Sequence, residues 1–244
     1  MKYLLLFLFS VYHITYAQTV GFKEIKLKPR PELYNTKVPT IIYPIVVTNN
    51  PPVDKQINDQ IKNEILGEEA VNARQTLKER IREDLTDMDY EVTLRNYGIL
   101  SLTINEVGCG AYCSSSNTYF NFDLKTGKSL SIYDLVAENM IDSFTKIVFT
   151  DKVNALKKYK EESDYSDNTI DSATINWAVE QVNENCIGTV KIENFSLSKD
   201  TIEIMDPCEF PHAIRAMEPD YKLRYSYRFM LPFLKPKYRR LFGK

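Results

Sequence analysis

The hydrophobic period changes near residue 90, and that change limits the architectures open to this chain. Upstream, Val53, Ile57, Ile61 and Ile65 recur every four residues. After Gly67, the residues Ala70, Ala73, Leu77 and Ile81 continue at spacings of three or four, with Lys, Glu and Arg on the other face. These are amphipathic helices with one apolar stripe to bury. From Tyr90 the period becomes two. Tyr90, Val92 and Leu94 alternate with polar residues, Asn96-Tyr97-Gly98 reads as a turn, and Leu100, Leu102 and Ile104 alternate again. Two half-buried strands of an antiparallel hairpin are predicted.

The remaining segments fit the same class. After a short polar lead, Thr40 to Val47 reads as a strand, with Pro44 marking an edge or bulge. Lys78 to Asp89 is charge-dense and reads as a solvated face, and Gly108 to Asn117 as a small-residue loop. Thr118, Phe120, Phe122 and Leu124 mark another strand, closed by the turn Lys125-Thr126-Gly127-Lys128. Ser131 with Asp134 has the form of a capping box. Asp123, Thr126, Gly127 and Asp134 are therefore assigned to architecture rather than chemistry. Helices are expected over Ile132 to Tyr159 and Thr169 to Asn183, with Trp177 as a core anchor. Ile187 to Leu197 and Thr201 to Met205 read as a hairpin, and Tyr221 to Phe229 as a last strand with an aromatic face. Strands and helices fall in blocks, so the class is α+β, with antiparallel β-sheets and packed amphipathic helices. Two sequential halves, 18–127 and 128–235, are expected to form one compact unit, followed by a basic tail at 236–244.

Residues 1–17 read as a secretory signal peptide. Lys2 precedes an apolar run from Leu4 to Val11, broken only by Ser10, and Thr15-Tyr16-Ala17 offers a cleavage site. A periplasmic or extracellular location follows, with no integral membrane anchor after cleavage. In an oxidising compartment the four cysteines, Cys109, Cys113, Cys186 and Cys208, read as disulfides. Of the three connectivities, Cys109–Cys113 with Cys186–Cys208 brackets two local loops and is the expected one. The rival four-thiolate zinc site matches zinc-knuckle spacing poorly.

Charge and chemistry exclude several functions. With 31 Lys+Arg against 33 Asp+Glu, the formal charge of −2 argues against nucleic acid as a partner. Only 8 glycines are present, which speaks against phosphate-cradling loops. Cleavage removes His13 and leaves His212 alone, so two-histidine metal sites are out. No Gly-x-Ser-x-Gly elbow presents a nucleophile. No enzyme activity, metal or cofactor is expected, and paired carboxylates in a polymer hydrolase are the alternative. Glu161, Glu162, Asp164 and Asp167 form an acidic stretch that reads first as a solvated linker and second as a docking surface for a basic partner. The tail carries Lys235, Lys237, Arg239, Arg240 and Lys244 beside Tyr238, Leu241 and Phe242. A mobile, solvated tail is the preferred reading there, and a weak anionic-membrane contact the second.

One block resembles a known family. Asn96 to Leu102, Gly108 to Cys113 and Tyr119 to Leu135, with Asp123-Leu124-Lys125-Thr126-Gly127-Lys128 as the specific part, resemble the paired extracytoplasmic domains of RsiV-type anti-sigma factors and PdaC-type peptidoglycan deacetylases. Tyr43-Pro44 with Ile57-Asn58-Asp59-Gln60-Ile61 is similar to the family's helix entry. Phe195 to Pro232 is similar to its closing hairpin and strand. The resemblance covers about 40–234, with a PdaC-like first half and an RsiV-like second half. It implies a non-catalytic envelope domain of unknown precise role. Its implied partner is a protein, most concretely a lysozyme-like muramidase, or a cell-wall component. The sigma-binding segment, the transmembrane helix and the deacetylase domain of those proteins have no counterpart here. Tyr112 stands where the family's loop histidine falls, in Cys109-Gly110-Ala111-Tyr112-Cys113, and is a binding candidate. N-terminal sequencing of the exported protein should begin at Gln18.

Overall fold

The helical stripe folds as its spacing requires. In α1, Pro51–Leu66, one face buries Val53, Ile57, Ile61 and Ile65. Its two prolines occupy the first turn, where no intrahelical N–H is needed. Gly67 ends it at a φ of 87°, a left-handed backbone that glycine adopts at least cost. α2, Ala73–Glu83, is capped by the Asn72 side chain, which accepts the Gln75 N–H, and buries Leu77. A computed structural model of the chain describes residues 20–29, 40–110, 113–162, 172–188, 190–219 and 221–243. The leader at 1–17, Tyr112, Asp164, Asp167 and Lys244 lie outside the described residues.

Both helices cover one face of a five-stranded sheet. Its strands are β1 (Gly21–Leu27), β2 (Ile41–Val47), β3 (Leu85–Asn96), β4 (Ile99–Cys109) and β5 (Cys113–Asp123), side by side in that order. Neighbours are antiparallel except β2 and β3, which run parallel and meet at Ile41↔Met88. The sheet is thus mixed, with one parallel junction in an otherwise antiparallel arrangement, and the class is α+β as expected. Pro44 lies in an inner strand, opposite Glu24 of β1 and beyond the single parallel contact with β3. β1 was concealed in the polar lead because Phe22, Ile25 and Leu27 are spaced irregularly. β3 starts at Leu85 rather than Tyr90, since Leu85, Thr86 and Met88 are buried. Tyr97 and Gly98 both have positive φ, 58° and 73°, as the two-residue hairpin turn that matches strand twist requires. The expected Gly108–Asn117 loop is mostly strand, because β4 and β5 pair down to Cys109↔Cys113, where a disulfide closes the tip.

The second half corrects several boundaries. The helix expected from Ile132 divides into α3, Ile132–Leu135, and α4, Ile141–Glu162, joined through a 3₁₀ turn at Glu138–Met140. No Gly or Pro stands at the break. Val136 instead bridges Leu234, and the Ala137 N–H donates to the Phe233 carbonyl, so tertiary pairing competes successfully with the helix. α5, Ser172–Gln181, continues into a π-helical turn over Val182–Cys186. Its buried face is Ala178, Val182 and Cys186. Trp177, expected as a core anchor, is 39% exposed. A second, antiparallel sheet contains β6 (Phe195–Leu197), β7 (Thr201–Ile204) and β8 (Leu223–Ser226). The expected strand to Phe229 stops at Ser226, whose Oγ accepts the Phe229 N–H and caps α6, Tyr227–Met230.

The tail is not mobile chain. Residues Pro236–Phe242 form α7, with Tyr238 and Phe242 buried and the Phe242 ring stacked on Tyr227 at 4.0 Å. Three cores result. One lies between the wide sheet and α1–α2, and the second joins Leu94 and Ile99 to α3, α4, the narrow sheet and α7. A third, around Leu156, Val182 and Phe210, contains the buried Cys186–Cys208 disulfide. Both disulfides have the expected connectivity.

The capping box at α3 generates a prediction. Ser131 Oγ accepts the Asp134 N–H, and the Asp134 carboxylate accepts the Ser131 N–H at 2.8 Å. Hydrogen bonds from Ser131 hold the Asp134 carboxyl below its ordinary value. A depressed folded value gives stability that is present above the unfolded value and lost as pH falls through the folded one. In urea denaturation at pH 7, Asp134→Ala should cost about 1 kcal/mol, the ordinary worth of a cap. The difference from wild type should shrink as pH falls below about 4.

Candidate functional site

The two sheets meet at one end and splay at the other. They meet through a chain of hydroxyls beside the β3–β4 turn. Ser196 Oγ donates to Thr93 Oγ1 at 3.0 Å, and Thr93 Oγ1 donates to Ser101 Oγ at 2.9 Å. Ser101 Oγ also accepts the Leu197 N–H at 3.1 Å, while Asn121 Nδ2 donates to the Phe195 carbonyl at 2.8 Å. Ser101 and Asn121 are both buried, and Asn121 Oδ1 has no hydrogen-bond partner among the described residues.

Farther from that turn the sheets part and leave a groove of about 540 Å³. Alternation decides which side chains line it. Leu100, Leu102, Phe120 and Phe122 point toward α1, so Thr103, Asn105, Asn117 and Tyr119 project from the opposite face, with Glu91 beside them. The facing wall carries Ser198, Thr201, Glu203, Met205, Lys222 and Arg224. Arg224 Nε donates to the Glu203 carboxylate. Burial raises the Tyr119 hydroxyl above its ordinary value; a hydrogen bond with Asn117 opposes the shift and the nearby Glu203 charge adds to it. Tyr119 is therefore a neutral donor and acceptor at physiological pH. Hydroxyls, amides, two carboxylates and two cations suit a polar ligand held by hydrogen bonds and charge. Among the described residues, no cluster of His, Cys, Asp or Glu is arranged to hold a metal.

Of the residues singled out in the sequence, those that the structure describes lie elsewhere. Asp123, Thr126 and Gly127 share the turn after β5. Asp123 Oδ1 accepts the Lys125 and Thr126 N–H groups, and its Oδ2 pairs with Lys237 Nζ at 3.1 Å. Gly127 has a φ of 74°, and a Cβ there would stand 3.0 Å from the Val53 carbonyl. Glu161 is exposed near the end of α4, which Glu162 closes. The Glu162 and His212 side chains lie outside the described residues. None of the described ones lines the groove. The alternation around Glu91, Thr93 and Thr103 predicts half-buried strands and does not reveal that a second sheet faces their polar side. The overlooked signal was that three paired strands place their polar residues on one shared face.

No family profile matches the chain, and no curated protein does. Solved structures do match. A DUF3298 family protein of Bacteroides fragilis NCTC 9343 aligns with a TM-score of 0.58 at 18% identity, covering 91% of this chain and 95% of its own. A DUF3298 family protein of Pseudomonas aeruginosa PAO1 aligns with a TM-score of 0.56 at 11% identity, covering 90% and 95%. The fold is that of these DUF3298 proteins. DUF3298 denotes a domain of unknown function, and the RsiV/PdaC-type resemblance is consistent with such neighbours.

The hydroxyl chain should be measurable as stability. Ser101→Ala leaves the buried Leu197 N–H without an acceptor and should cost about 1–3 kcal/mol in chemical denaturation. Asn105→Ala, on the same face but in the open groove, should change stability by no more than about 0.5 kcal/mol.

Proposed function

We propose that this chain is an exported envelope domain that binds a polar ligand in the inter-sheet groove without transforming it. The observation that carries this reading is the groove: its walls are donors, acceptors and fixed charges contributed by six strands. Rigid strands hold such groups more precisely than loops do. Export is supported by the leader-like residues 1–17 and by the two disulfides, which persist in oxidising compartments. No described helix is long and apolar enough to cross a membrane. The RsiV/PdaC-type resemblance favours a lysozyme-like muramidase or a cell-wall component as the ligand. The acidic residues near the end of α4 are a secondary steering surface for a basic partner. Anionic-membrane contact through residues 236–244 is a lesser, purely electrostatic element, since Tyr238 and Phe242 are committed to the core.

A hydrolase of envelope polymers is the second reading, because Glu91 and Glu203 both line the groove, as a paired-carboxylate mechanism requires. Against it, the Glu203 carboxylate is already engaged by Arg224. Calorimetric titration of the mature protein with a lysozyme-like muramidase and with solubilised peptidoglycan, run beside turnover assays, tests both readings. Saturable binding without turnover is expected, weakened tenfold or more by the double substitution Tyr119→Ala and Arg224→Ala. Turnover abolished by Glu91→Gln would establish the hydrolase. Binding to neither ligand would overturn the binder.

A further inference from the structure

The outer edge of β5 is covered for only part of its length. At its C-terminal end the chain folds back on it: Asp123 N–H donates to the Lys128 carbonyl, Leu130 N–H donates to the Asn121 carbonyl, and Phe122 bridges Ser129. At Ser131 the chain turns into α3 and leaves the edge. In an antiparallel strand the N–H and C=O of alternate residues point to the same side. Asn121 and Asp123 point outward, so Tyr119, Asn117 and Ser115 do too. No described segment pairs with the strand there. A sheet edge left open in this way is normally blunted by charge. β1, the opposite edge, carries Lys23, Glu24 and Lys26. The stretch of β5 from Cys113 to Tyr119 carries no charged residue.

Beside this open edge is a recess of about 500 Å³, bounded by Gln60, Asn63 and Glu64 of α1 on one side and by Asn194 on the other. Two walls admit a single strand and obstruct the edge of another sheet. Ser115 to Tyr119 spans roughly 13 Å at the strand rise. We propose that this edge accepts an extended peptide as a sixth strand, antiparallel to β5 and continuing the path that Ser129 and Leu130 begin. Side chains opposite each other in such a pair share a face. Peptide residues opposite Thr118 and Phe120 therefore face α1, where Glu64 is the one charged side chain lining the recess. The peptide is thus one with a basic residue at that position and small polar residues between. This site is distinct from the inter-sheet groove, although Asn117 and Tyr119 border both.

Amide hydrogen exchange, followed by NMR on the mature protein, tests the assignment with acetyl-Thr-Lys-Thr-Lys-Thr-amide as probe. At millimolar peptide, exchange at Ser115, Asn117 and Tyr119 should slow at least tenfold. The glutamate counterpart should protect them severalfold less, and a peptide N-methylated at alternate residues should not protect them. Glu64→Gln should abolish the preference for lysine over glutamate. Ser115→Pro removes an outward N–H that β4 does not use, a position where edge strands tolerate proline. It should weaken the peptide at least fivefold while the melting temperature confirms folding. Unchanged exchange at all three amides would overturn the proposal. Protection that appears in the free protein and rises with its concentration would assign the edge to a second copy and also overturn it. Perturbation confined to Glu203 and Arg224 would place the peptide in the groove, refuting strand addition while leaving the groove reading intact.

Discussion

Strand β4 must be covered on both faces. From Ile99 to Ile104 every residue is buried, with Leu100, Leu102 and Ile104 packed under α1 and α2. The other face carries Ser101 and Thr103, and a buried hydroxyl without a partner is costly. The narrow sheet supplies what is needed by bringing the Leu197 N–H and, through Thr93, the Ser196 hydroxyl to Ser101. That contact anchors the second sheet against the first at one end. The groove adjoins this contact, and Thr93 and Ser196 border both.

Much of this was legible in the sequence, and the failures have physical causes. The α1 stripe, the Tyr97-Gly98 turn, the capping box and both disulfide partners were readable because each is set by residues near one another in sequence. The break at Val136 was not, because the pairing partner, Leu234, is almost a hundred residues away. Trp177 was misplaced because a large apolar residue at helical spacing says nothing about which side of the helix another element will cover. The candidate site was the least legible part. Thr103, Asn117, Glu203 and Arg224 are ordinary polar residues of alternating strands, and only the approach of two sheets distant in sequence makes them neighbours.

The functional reading also has a geometric basis. The described side chains of the groove present hydrogen-bonding capacity spread along strands, and it is on this arrangement that the proposed binding role rests. The DUF3298 neighbours share this fold at identities of 18% and 11%. At such distance the shared fold assigns no ligand, so the proposed binding role rests on this chain's own groove residues.

The burial of Phe242 has a consequence for the order of events during synthesis. The core under α1 and α2 draws its buried residues from Val20 to Leu124, so all its parts are available once the first half of the chain has emerged. The second core needs Tyr238 and Phe242 to close over Tyr227. Its exposed apolar surface therefore stays unsealed until residues 238–242 appear. In a chain synthesised N-terminus first, this is the interval in which a chaperone has most to protect.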